Sequence, residues 1–290
     1  MVHQQGIKIQ TGLAVTYEGR DPQLLERLVP LVDYLEVTPD SMAISEGERV
    51  FLDPAILAEL RNVAGQVQFI IHGVGLSIAS HDGYSEPYLR LVEEFLEHFN
   101  AAWHSEHLGY TMVDGENLGT MLALPKTRQA LDMICERVEM IQTRYRLPFL
   151  LENIVHILPD YPGDYSEAGF LNAISERTGC SLLLDVYNLE CDAFNQGFDI
   201  PTFLDELELK KVREIHMACG VEHHGFMLDV HSRLLRPSTV DLAREVVERA
   251  NGGVWTVTYE LLPEAIPVLG HDAVVGEVGR LDAIFRNGSE

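Results

Sequence analysis

The stretch VREIHMACGVEHHGFMLDVH, Val212 to His231, carries the reading on which the rest of the chain turns. It opens as a short apolar run, Val212 and Ile215, that ends on His216. A glycine-containing turn with His223 and His224 follows, and the stretch closes on Leu228-Asp229-Val230-His231. In a strand-like segment, residues two apart point the same way. The spacing therefore predicts that Asp229 and His231 face one site. Imidazole beside carboxylate is a donor set for a metal ion. Any one such histidine is more often a buried ring held by a backbone carbonyl, so the metal reading depends on recurrence of the pattern.

The pattern recurs in both directions along the chain. Val67 to Ile71 is an apolar run ending on His72, and Trp103 to Leu108 carries Ser105-Glu106-His107. Phe149 to Leu151 ends on Glu152-Asn153, and Ser181 to Leu184 ends on Asp185-Val186-Tyr187-Asn188. Trp255 to Tyr259 ends on Glu260, and Tyr34 to Val37 holds Glu36. Ile7 to Val15 reads as the first strand. Amphipathic stretches separate these runs, near residues 22–31, 54–63, 86–100, 126–144, 165–178, 200–208 and 238–250, with a helical tail from Pro263. Asp21-Pro22 and Asp53-Pro54 are cap-then-proline helix starts. Asp114-Gly115 marks a small hairpin.

Short, continuously apolar strands alternating with longer amphipathic segments imply a parallel sheet buried on both faces. Repeated about eight times in 290 residues, that rhythm predicts an α/β chain folded as one (β/α)8 TIM barrel spanning 1–290. A doubly wound open sheet is the alternative, and no G-x-G-x-x-G follows the first strand to support it. In a barrel the strand ends converge on one rim. Glu36, His72, His107, Glu152, Asp185, His216 and Glu260 would meet there, at the C-terminal face, with no lysine or arginine among them. A strand-end carboxylate often caps the next helix, but a whole ring of them is costly to desolvate without cations. Two or three ions sharing a bridging carboxylate follow, with iron, manganese and zinc all suited to these donors.

The formal net charge of −24 repels phosphate backbones and argues against a nucleic-acid partner. No apolar run is long enough for a bilayer and the N-terminus lacks a signal-peptide layout, so a cytoplasmic protein without membrane contact is expected. Cys135, Cys180, Cys191 and Cys219 show no C-x-x-C spacing, which suggests neither disulfides nor a structural zinc site.

The words at the strand ends, in this order, resemble a known family. Ile71-His72-Gly73-Val74-Gly75-Leu76-Ser77, Ser105-Glu106-His107-Leu108, Leu151-Glu152-Asn153, Asp185-Val186-Tyr187-Asn188, Glu214-Ile215-His216-Met217-Ala218, Asp229-Val230-His231 and Tyr259-Glu260 are similar to those of the multinuclear non-haem iron-dependent oxidative enzymes. This family includes the iron oxidase of methanobactin biosynthesis. The resemblance runs from about Gly12 to Glu260. It implies a TIM barrel with two or three irons of mixed Fe(II)/Fe(III) state. His72, His107 and Glu152 would be ligands of one iron, and Glu152 would bridge to a second held by Asp185, His216 and Glu260. Asn188, Asp229 and His231 resemble the third-iron set, with an amide at Asn188 where the methanobactin enzyme has a carboxylate. It further implies an oxidase that uses O2 to modify a residue, chiefly cysteine, of a ribosomally made precursor peptide, often with a partner protein that presents the peptide. No catalytic residue beyond the ligands is assigned.

Two words depart from the family. Leu13-Ala14-Val15-Thr16-Tyr17 lacks an arginine found in relatives, and Ala218-Cys219-Gly220 stands where relatives read Ala-Gly-His. Both bear on substrate more than on metal. Two other readings share the ring of donors. One is a divalent-metal hydrolase or sugar isomerase on a xylose-isomerase-like barrel. The other is a metal-storing or peptide-binding protein without catalysis.

Overall fold

The alternation of apolar runs and capped helices closes on itself. The computed structural model describes residues 11–47, 49–159 and 161–286. Its central strands are β1 (Gly12–Thr16), β2 (Tyr34–Val37), β3 (Gln68–Gly73), β4 (Ala101–His107), β5 (Phe149–Glu152), β6 (Ser181–Asp185), β7 (Val212–Met217) and β8 (Thr256–Tyr259). All are parallel, each hydrogen-bonded to its neighbours in sequence, and β1 pairs with β8 from Gly12 opposite Thr256 to Val15 opposite Tyr259. This is the expected (β/α)8 barrel. The first strand begins at Gly12 in the described chain, and residues 7–10 of the expected strand lie outside the described residues.

Helices α1 (Pro22–Leu28), α2 (Pro54–Val63), α3 (Glu86–His98), α4 (Arg128–Tyr145), α5 (Glu167–Thr178), α6 (Val186–Gln196), α7 (Ile200–Glu206), α8 (Pro237–Arg249), α9 (Ile266–Leu269) and α10 (His271–Phe285) cover the outside. Asp21 and Asp53 cap α1 and α2 through their side chains, each ahead of a first-turn proline, as their sequences predict; such caps contribute about 1 kcal/mol each. Strand residues pointing outward, among them Leu13, Val15, Leu35, Ile71, Leu184, Ile215 and Val257, are buried with the helices in one large core.

The inward-facing residues make a different column, two apart along each strand. At the lower level Ala14, Ile70, Trp103, Leu150 and Leu183 pack with Tyr34 and Trp255 into an apolar plug. The Trp103 ring lies 4.8 Å from Tyr34 and 5.2 Å from Trp255. Below the plug, at the N-terminal ends of the strands, opens a surface cleft of about 620 Å³ lined by Gly12, Tyr34, Gln68 and Arg286, among others. Glu214 and Thr256 are polar at the level of the plug, and one pleat above it the inward residues turn polar all round. No helix of the described residues is long and apolar enough to cross a membrane.

Three features depart from the sequence reading. Residues 186–196 form α6 directly off β6, where only a strand end was expected. Two hairpins, Ala43–Glu46 with Arg49–Leu52 and Val221–His223 with Phe226–Leu228, join the expected one at Asp114-Gly115. Asp229 and His231 lie beyond the second of these hairpins in irregular chain. His231 has φ +33°, so the period-two argument for this pair does not apply.

Candidate metal centre

The polar level of the barrel is built by register. His107 stands opposite Glu152, Asp185 opposite His216, and His72 opposite Ser105. Single ligating atoms of His72, His107 and Glu152 lie within 4.8 Å of one another, as do those of Glu152, Asp185, His216 and Glu260. Glu152 belongs to both groups. A third group, Glu36 with His72 and His216, meets the same spacing.

The far side of each ring fixes which nitrogen faces the cluster. The Ser105 hydroxyl donates to the Ile71 carbonyl at 3.2 Å, so it accepts from His72 Nδ1–H at 3.0 Å. His107 Nδ1–H donates to the Gly73 carbonyl at 2.9 Å, and a carbonyl can only accept. Both rings thus present a bare Nε2 inward. His216 is turned over: its Nε2–H donates to Glu36 Oε2 at 3.0 Å, which leaves Nδ1 facing Glu260 Oε2 at 2.9 Å and Glu152 Oε1 at 3.7 Å. Distal anchors of this kind are how imidazoles are oriented for metals.

Among the described residues, eleven buried side-chain polar atoms have no hydrogen-bond partner, and eight of them sit on residues of the expected ligand set. They are His72 Nε2, Glu152 Oε2, Asp185 Oδ2, Asn188 Oδ1, His216 Nδ1, Asp229 Oδ1, His231 Nε2 and Glu260 Oε2. Several approach one another closely, His72 Nε2 and His107 Nε2 lying 3.2 and 3.3 Å from Glu152 Oε2. The alignment is not that of hydrogen bonds. An unpaired buried polar atom costs about 1–3 kcal/mol, so a cluster of them calls for a bound cation. The residues present fit one.

Asn188, in the first turn of α6, and Asp229 and His231, on irregular chain, stand outside these groups. Asn188 Nδ2 donates to the Asn153 carbonyl at 3.1 Å, which leaves its Oδ1 free. Asn153 also clasps the Asp185 backbone, accepting from Asp185 N at 2.9 Å and donating to Asp185 O at 3.0 Å. His231 Nε2 is 2.7 Å from Asp229 Oδ1, and its Nδ1 is 3.9 Å from Glu260 Oε2. The loop is pinned by Leu262 N to His231 O at 3.0 Å and by Ser232 N to Cys219 O at 2.8 Å. These bonds hold a left-handed histidine backbone that costs about 1–3 kcal/mol.

Burial lowers the pKa of His72, and its histidine neighbours His107 and His216 add to the shift. Burial also lowers His107. Both rings are therefore neutral donors. Burial pushes Glu152 and Asp185 well above the usual carboxylate range, with Glu260 adding to each. Burial alone would depress His216, but Glu260, Glu36 and Glu152 together hold it well above its ordinary value. Burial opposes the charge on His231 too, yet Asp229 and Glu260 raise it to about 10. Glu260 is the one carboxylate of the ring held below its ordinary value, His216 and His231 outweighing its burial. Without cations, protons do part of their work.

The model of the RiPP precursor modification enzymes MbnB/TglH/ChrH matches residues 12–261 of this sequence. The chain belongs to this family. Among the relatives of this MbnB/TglH/ChrH family member, a UPF0276 protein of Anaeromyxobacter sp. (strain Fw109-5) is 32% identical over 222 residues, 76% of this chain and 75% of its own. Another UPF0276 protein, of Caulobacter vibrioides (strain NA1000 / CB15N), is 31% identical over 204 residues, 70% of each chain. Solved structures share the barrel. A xylose isomerase domain protein from Alicyclobacillus acidocaldarius has a TM-score of 0.58 at 15% identity, covering 95% of this chain and 98% of that one. Endonuclease IV from Thermus thermophilus has 0.52 at 17%, covering 95% and 99%.

Several residues around the centre went unassigned in the sequence. Ser105 and Asn153 stand inside family words, two before His107 and one after Glu152, and their spacing carried that signal. The Gly73 carbonyl had none. Other residues resolve blandly. His223 and His224 are exposed on their hairpin turn, and Tyr187 is buried against Cys191, Ala218 and Met227.

Proposed function

We propose that this member of the MbnB/TglH/ChrH family is a multinuclear iron-dependent oxidase. It uses O2 to modify a residue, cysteine first among the candidates, of a ribosomally synthesised precursor peptide. The reading is supported by the unpaired ligand-type atoms of His72, Glu152, Asp185, His216 and Glu260, which group closely inside the barrel of a family of precursor-modifying enzymes. His72, His107 and Glu152 would hold one ion, with Glu152 shared to a second held by Asp185, His216 and Glu260. Asn188, Asp229 and His231 would hold a third. We read the enzyme as cytoplasmic, with a peptide-presenting protein as a further partner.

Iron in such a site supplies Lewis acidity toward a thiol and electrons for O2. The chain's own residues do the rest. Ser105, Gly73 and Glu36 fix three rings so that one nitrogen of each faces the cluster. Asn153 fixes Asp185 and Asn188 together. The apolar plug beneath excludes water from below. His231, paired with Asp229 and close to Glu260, is the residue of this set placed to hold a proton.

The test is a precursor peptide bearing cysteine, incubated with protein reconstituted with Fe(II) under argon and then exposed to air. A mass change that needs both iron and O2 is expected. Turnover without O2 would favour a hydrolase or isomerase on the same barrel, and full activity in protein holding only zinc would sink the oxidase reading.

A further inference from the structure

Glu36 resembles a ligand by position, yet its bonding differs from that of the ring. Both its oxygens are occupied: Oε1 accepts from the Thr16 hydroxyl at 3.1 Å and Oε2 from His216 Nε2–H at 3.0 Å. A second buried carboxylate lies beside it, one pleat below His216. Glu214 Oε1 accepts from the Thr258 hydroxyl at 2.7 Å and lies 3.6 Å from the same His216 Nε2. Glu214 Oε2 accepts from the Trp103 indole N–H at 2.6 Å. Neither Glu36 nor Glu214 has an unpaired oxygen, in contrast to Glu152, Asp185 and Glu260.

The three imidazoles therefore differ behind the ring. His72 leans on a hydroxyl and His107 on a peptide carbonyl, both neutral acceptors. His216 alone faces two carboxylates, fully enclosed. An anionic acceptor draws the distal proton and makes the ring a stronger donor to whatever the other nitrogen binds. A stronger donor favours the higher oxidation state of a bound metal.

We propose that Glu36, backed by Glu214, is a positioning residue rather than a ligand: by binding His216 Nε2–H it gives the His216–Asp185–Glu260 position the lower reduction potential of the two Glu152-bridged positions. The two irons would then be unequal because of what stands behind their histidines. The oxidised ion of a mixed-valence pair occupies the His216 position, and the ion held by His72 and His107 is the reduced one. This rests on the iron reading above.

The experiment compares wild type, Glu36→Gln, Glu214→Gln and Ser105→Ala, each loaded with 57Fe(II) under argon. Iron per chain, Mössbauer spectra and the midpoint of each iron in a redox titration are read. Glu36→Gln, nearly isosteric, is expected to keep both ions and to shift the lower midpoint upward, leaving the other in place. Glu214→Gln shifts the same midpoint by less. Ser105→Ala alters only the other ion. Glu36→Ala lowers the affinity for one ion by about 10–100-fold. Unchanged midpoints in Glu36→Gln with both irons retained, or an equal shift of both, would overturn the proposal. Wild type without bound iron would instead overturn the metal reading beneath it.

Discussion

Asp185 Oδ1 accepts the backbone N–H of Asn188 at 2.7 Å, so the carboxylate at the end of β6 starts the helix that carries the next candidate ligand. Its other oxygen is unpaired and faces the cluster. Capping thus occupies one oxygen of this side chain and leaves the other for a ligand. Asp185→Asn keeps a capping oxygen and removes the charge, whereas Asp185→Ala removes both. Asparagine should leave the melting temperature close to wild type and deplete iron; alanine should deplete iron and cost about 1 kcal/mol as well. Thermal melts paired with elemental analysis separate the two.

Glu152 reaches both groups of donors and His107 only one. Glu152→Ala is expected to strip both bridged ions, and His107→Ala to strip one. Iron counted per chain after anaerobic loading and desalting checks this. Equal losses in the two variants would remove Glu152 as a bridge.

Asn188 ties its amide nitrogen to the Asn153 carbonyl and offers a neutral oxygen to the neighbouring set. Asn188→Asp gives up that bond and places a carboxylate against a carbonyl. The metal-free variant should lose about 1 kcal/mol and the loaded variant should hold more iron. A count rising toward three per chain is the result to look for.

Gly73 has no room for a side chain, because an added Cβ would run into the Tyr88 hydroxyl and the Glu106 carboxylate. Its carbonyl also aligns His107. Gly73→Ala should cost about 1–3 kcal/mol by overpacking and weaken iron binding at the His107 position. Urea unfolding reads the first effect and iron competition with a chelator the second.

Asp40 lies on the turn after β2, half-buried with one enclosed, unpaired oxygen. Burial, with Glu106 beside it, raises its pKa from 3.8 to about 7. The folded state then binds a proton that the unfolded state has released across that window. Stability from this group must fall as pH rises from about 4 to about 7 and level off above. Asp40→Asn should flatten that slope and stabilise the protein at pH 8 by about 1–3 kcal/mol. Denaturation at several pH values tests the sign.

The barrel was legible because its eight strands are short apolar runs with chemistry at their ends, a signal that survives errors of a residue or two. The ring of His72, His107, Glu152, Asp185, His216 and Glu260 was legible for the same reason. Helix α6 was not. Val186, Tyr187, Asn188, Cys191, Asp192 and Phe194 are indifferent helix formers, and the helix leaves β6 without a loop. The marks it did carry were a cap at Asp185 and Gly197 in the left-handed conformation twelve residues on. Asp229 and His231 meet through a tight irregular loop rather than a pleat, so the sequence reading paired them by an argument the backbone does not follow. The carboxylates behind His216 were hidden by their likeness to ligands; which oxygen is already engaged depends on Thr16, Thr258 and Trp103, far away in sequence.

The stack of Tyr34, Trp103 and Trp255 stops the barrel from below. A polypeptide substrate therefore could not be threaded through; its reacting residue would dip in from the rim and back out the same way. Traffic at a blind well is one at a time. A long substrate with several target residues would have to withdraw one before inserting the next, so each would be modified in a separate visit.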